Sequence, residues 1–257
     1  ITLDLSASVR DPAVNALTVN LDSISAGGNL TLTLQASVKE ATLGSAGFSI
    51  TVSEPLVPAT TPVISHFRPT GSDPSPTLDL GLYGINPQPL DSTYDLGLAQ
   101  AGGDLSVTAV PGSTTMTVVG QSNLTAAGKV SVQTNGNIVL TETSGDLRVG
   151  LINSLAGNVT LTSPAAMVDA DNDAASDVNG NSIVLTAQAG GIGVITNHLD
   201  INSNLLKATA TSDIYITETA GDLNLDQAIS TGAGVTLNGM ARIRDADQGA
   251  GFDVIGT

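Results

Sequence analysis

The segment NIVLTETSGDL at 137–147 returns as DIYITETAGDL at 213–223, 76 residues further on. Aligned without gaps, 136–181 and 212–257 share 19 identities in 46 pairs. NVTL (158–161) answers to GVTL (234–237), and DADNDAASDVNG (169–180) to DADQGAGFDVIG (245–256). A repeat of this kind constrains the fold more than any other feature of the chain. Units that cannot bury an apolar face alone must stack on their neighbours to do so.

A shorter phrase recurs within and before the repeat: a Gly-Asn or Gly-Asp turn, then apolar residues alternating with Thr or Ser. It is seen as GNLTLTL from Gly28, GDLSVTA from Gly103, GKVSVQT from Gly128, GNVTLTS from Gly157 and NSIVLTA from Asn181. Period-two alternation of β-branched residues after a turn signal predicts strands with one buried face. From Ile138 to Val159, Ile183, Ile214 and Val235 the steps are 21, 24, 31 and 21 residues. Steps of about 20 or more residues suit one coil of a parallel β-helix, three unequal coils making one 76-residue unit. The alternative is a tandem array of Ig-like β-sandwiches with calcium at the joints.

Composition favours the first reading. Aromatics are 2% of the chain while hydrophobic residues are 41%, so the core is built of Val, Ile, Leu and Ala in thin, regular layers. Of 24 acids, 20 are Asp and four are Glu (Glu40, Glu54, Glu142 and Glu218), a bias toward turns and away from helix interiors. A net charge of −16 argues against nucleic acid and anionic membrane surfaces as partners. With no cysteine, disulfides and thiolate metal sites are excluded. No apolar run spans a bilayer, and ITLDLSASV lacks the basic start of a signal peptide; direct membrane insertion is not expected, and the chain reads as part of a longer protein.

Three regions are expected. Residues 1–54 carry strand phrases that begin the solenoid. Residues 55–100 form an excursion or linker, since 55–90 hold eight of the 11 prolines and proline removes a ladder donor. Residues 101–257 form a β-solenoid with one full repeat (136–211) and a partial one (212–257).

DADNDAASD places Asp169, Asp171, Asp173 and Asp177 at positions 1, 3, 5 and 9 of a loop between strands. Hard oxygen ligands spaced by two can converge on Ca²⁺, which accepts six to eight oxygens. An EF-hand is not supported, because Ala174 and Gly180 stand where that loop needs Gly and Glu. The second copy keeps Asp245, Asp247 and Asp253 but has Gly249 in place of the fifth-position Asp. These seven aspartates are the candidate ligands for a structural Ca²⁺, tighter in the first loop than in the second; the competing reading is a soluble turn that binds nothing.

Catalysis is not expected. Paired carboxylates could serve glycoside hydrolysis, as in β-helical polysaccharide-degrading enzymes. That chemistry needs a groove of bases or aromatics, and here Lys129, Arg148, Lys207, Arg242 and Arg244 are scattered while His66 and His198 stand alone. Thr-x-Thr pairs such as Thr141/Thr143 and Thr160/Thr162 could form a flat hydroxyl array of the ice-binding kind, but Thr is also an ordinary strand former on a solvated face.

GNVTLTS, GNSIVLTAQAGGIG and TETAGDL resemble phrases of giant repetitive bacterial surface proteins, including filamentous-haemagglutinin-like adhesins. The resemblance covers 100–257 well and 1–54 loosely. It implies a right-handed parallel β-helix and a secreted or cell-surface rod that adheres or assembles, with no catalytic residues to carry over. The partners it implies are other copies or neighbouring segments of the same large protein, and host-surface or matrix glycans and proteins.

Overall fold

The computed structural model describes residues 4–6, 16–20, 23–26, 29–35, 48–49, 91–108, 115–125, 127–246 and 253–257. The chain is all-β, and its strands stack in parallel as a right-handed β-solenoid. Among the described residues every pairing between named strands is parallel, and one short antiparallel bridge joins Val194 to Asn197 within a turn. That excludes the Ig-like sandwiches, whose sheets are antiparallel. The chain divides into two compact units, one of 1–128 with 132–137, the other of 129–131 with 138–257.

In the second unit the turn-then-alternation phrase does what its periodicity requires. Ile138–Glu142, Val159–Ser163, Val178–Ala187 and Leu199–Ala210 lie side by side in matched register. Ile138, Val159, Ile183 and Leu206 form one inward column, and Leu140, Leu161, Leu185 and Ala208 form the next, all buried. Successive levels are ~4.8 Å apart, so every inward side chain touches its counterparts above and below. The outward positions include one column of four threonines, Thr141, Thr162, Thr186 and Thr209. The neighbouring outward column reads Val139, Thr160, Val184 and Lys207, so no flat two-column hydroxyl array exists on this face.

A second ladder runs through Leu147, Met167, Ile192, Ile214 and Val235. A third joins Ile152 to Val178 and Ile201. These ladders correct the coil count. Ile183 is followed in its column by Leu206, not by Ile214, which stands in the second ladder. From Ile138 to Leu206 is 68 residues, or three coils, and eight more reach Ile214 on the next face, which completes the 76-residue period. The repeat therefore advances by three coils and one face. The 31-residue step arose because the phrase changes face, the intervening level being the strand Leu199–Ala210, whose NSNLLKATA lacks the usual Gly-Asn start.

In the first unit Leu30–Gln35 pairs with Leu105–Thr108, and Ala16–Asn20 and Ser23–Ala26 pair with Asp91–Ala101. The proline-rich 55–90 lies outside the described residues, but the chain on either side of it belongs to the same unit. The strand Asp91–Ala101 falls within the stretch expected to be an excursion. Its pattern is masked in sequence by a break at Gly97 (φ 57°), where the register shifts between Asp95 and Leu98 and the Gly97 N–H donates to Asp95 Oδ1 at 2.9 Å. Either side of that break Tyr94, Leu96 and Ala99 are buried.

Candidate functional site

The acidic loop connects the strand Met167–Asp169 to the strand Val178–Ala187, both in the second unit. Met167 and Asp169 take the inward positions of their short strand, which places a carboxylate at the end of an apolar row. Asp169 Oδ1 then accepts the N–H groups of Asp171 (2.7 Å) and Asn172 (2.9 Å), turning the chain sharply out of the strand. Asn172 takes a left-handed conformation (φ 52°), which asparagine tolerates better than most residues. Asn197 donates its side-chain amide to the Asp169 carbonyl at 3.2 Å, tying the strand end to the turn one coil on.

The four aspartates of the loop separate into two pairs. Asp171 is exposed and forms an ion pair with Lys129 at 2.5 Å. Asp173 is exposed and accepts the Ala175 N–H at 2.6 Å. Asp169 and Asp177 turn inward and are buried, at 5% and 4% exposure. They are joined by Asp200, also buried, which the sequence reading did not single out. Asp177 and Asp200 bond reciprocally across one coil: the Asp177 N–H donates to the Asp200 carbonyl, and the Asp200 N–H to Asp177 Oδ2, each at 2.8 Å. The signal for Asp200 was its spacing of 23 residues from Asp177, the same step that separates Ile183 from Leu206.

Burial is the main force on these groups. It pushes the Asp177 carboxyl up to about 8, against the lowering effect of the Asp200 N–H and with further upward pressure from the charges of Asp169 and Asp200 and a hydrogen bond shared with Asp169. Asp200 is raised by burial first and by the charge of Asp169, while His198 and the Thr217 hydroxyl oppose the rise. Asp169 Oδ2 is buried and receives no N–H, so the Asp177 carboxyl is the polar group left to meet it. Among the described residues, no three acid or histidine side chains are gathered as a ready-made metal cage.

In the second copy Asp245 is exposed and Asp253 is half-buried, while Asp247 lies outside the described residues.

Two further buried acids were missed, Glu142 and Glu218, each 1% exposed and 76 residues apart in the TET phrase. Glu218 accepts from the Ser203 N–H (3.3 and 3.2 Å) and the Ser203 hydroxyl (3.1 Å). The available signal was scarcity: two of only four glutamates occupy one repeat position. His198 bonds Thr217 Oγ1 through Nδ1 at 3.0 Å and lies 5.5 Å from the Tyr215 ring, while His66 lies outside the described residues.

Comparison of the chain with family models, curated proteins and solved structures gives no match.

Proposed function

We propose that this chain is a structural and adhesive segment of a large secreted or cell-surface bacterial exoprotein, acting through stiffness and repeated exposed surface rather than through catalysis. The observation that carries this reading is the parallel stack of the second unit, in which Ile138–Glu142, Val159–Ser163, Val178–Ala187 and Leu199–Ala210 lie in matched register over continuous apolar columns. In such a stack each coil buries its apolar face only against the next, so coils of the same grammar add to it. Other copies or neighbouring segments of the same protein are therefore the natural partners. Parallel ladders satisfy the backbone of each coil through the next, which gives stiffness without a large core. A charge of −16 keeps such a surface soluble.

The extracellular placement is tested with an antibody raised against the purified chain. Intact, unpermeabilised cells of the source organism, or their culture medium, should be labelled. Labelling that appears only after permeabilisation would sink the proposal.

A further inference from the structure

No ion pair among the described residues reaches the Asp169 carboxylate. Asp169 is 5% exposed, its Oδ2 is withdrawn from water and reached by no N–H, and the polar group that meets it is the carboxyl of Asp177. The acids Asp177 and Asp200 stand beside it, with His198 acting on Asp200 from the opposite sign. The ion pairs of this unit lie elsewhere: Lys129 holds the exposed Asp171, Lys207 holds Asp226, and Arg244 holds Asp222. A buried carboxylate without a counter-charge is costly, and the cost is removed when a cation takes the empty side of the oxygen.

We propose that a hard divalent cation with the ligand chemistry of Ca²⁺ binds between Asp169 Oδ2 and the Asp177 carboxylate, with Asp200 adding a third negative charge from the next coil. Two carboxylates leave the remaining positions to backbone carbonyls and water, a mixture that Ca²⁺ accepts in flexible geometry and Mg²⁺ accepts poorly. Zinc is disfavoured, because the chain has no cysteine and a site of carboxylate and carbonyl oxygens suits a harder ion. Of the four aspartates in the loop, the proposal takes the first and the last. Asp171 and Asp173 face solvent on the loop, whereas the site lies inside, at the two ends of the loop and one coil beyond. With few carboxylates, the affinity belongs to the range of extracellular modules, Kd ~10⁻⁴–10⁻³ M. Bound there, the ion pins both ends of the 170–176 loop to the stack. The site does not depend on where the chain is displayed, and its test is independent of surface labelling.

The test is thermal unfolding of the whole chain at pH 7.5 and fixed ionic strength, with chelator, 10 mM Mg²⁺ or 10 mM Ca²⁺. Calcium at ten times its Kd should raise Tm by roughly 3–6 °C, and magnesium should raise it much less. Asp177→Asn keeps the shape and can donate to Asp169, so it should fold and lose the calcium response. Asp171→Ala with Asp173→Ala should keep the response in full. The proposal is overturned if calcium does not shift the wild-type Tm, if the shift survives Asp177→Asn, or if the double loop variant abolishes it.

Discussion

Replacing Glu218 separates what a buried acid contributes as a hydrogen-bond acceptor from what it costs as a charge. The side chain is 1% exposed and holds both the N–H and the hydroxyl of Ser203. Glu218→Ala leaves two buried polar groups without an acceptor, at about 1–3 kcal/mol each, so a loss of ~2–5 kcal/mol is expected. Glu218→Gln retains an acceptor oxygen and should lie within ~1 kcal/mol of the wild type. The pH dependence distinguishes the two roles further. Burial raises the Glu218 carboxyl above 4.5, opposed by its bonds from the Ser203 side chain, the Ala220 N–H and the Ser203 N–H. A group raised in the folded state contributes fully below its unfolded value, and that contribution is lost as pH climbs through its folded value. The wild type should therefore lose stability relative to Glu218→Gln as pH rises from 4.5 toward neutrality. Urea unfolding followed by far-UV circular dichroism, in chelator at several pH values, reads both effects. A Gln variant as unstable as the Ala variant near neutral pH, or a wild-type-to-Gln difference that does not change with pH, would refute the reasoning.

Leu161 is fully buried between Leu140 and Leu185, so Leu161→Ala should cost ~2–5 kcal/mol, whereas Val139→Ala on the outer surface should cost under ~0.5 kcal/mol; urea midpoints decide. Gly145 and Gly193 both take left-handed conformations (φ 76° and 66°), but a Cβ on Gly145 meets nothing within 4 Å, while one on Gly193 runs into the Tyr215 carbonyl and comes within 2.8 Å of the Leu199 nitrogen. Gly145→Ala should therefore cost only its backbone strain, ~1–2 kcal/mol, and Gly193→Ala should exceed it by ~1–3 kcal/mol; equal losses in Tm would show that steric contact is not the deciding factor.

The strands of the second unit were legible because the inward residue at every second position is apolar, and turn residues mark each start. Ile138, Val159 and Ile183 were placed in one column from spacing alone, and the register agrees. The step to Ile214 was misread because nothing in a one-dimensional count distinguishes a new coil from a new face. Leu206 supplied the missing level from a phrase without the turn signal. The acidic loop was legible as a loop between strands, but charge spacing does not say which carboxylates turn in. That is settled by Met167–Asp169, whose alternation continues into the corner and carries Asp169 inward. Asp200 and the two buried glutamates were hidden because their burial depends on levels above and below, which only the stacking brings together.

The eight-residue remainder in the repeat has a consequence for how such a chain can grow. NIVLTE and DIYITE are near copies, yet one lies in the ladder of Val159 and the other in the ladder of Ile192. Both bury their glutamate. A strand written for one side of the stack thus works on another, because each side asks only for alternating apolar residues at the same height. Gene duplication is then free of any need to insert whole coils. Each new copy turns its decorations, acidic corner included, toward a different quarter, so lengthening the chain also distributes one motif around its circumference.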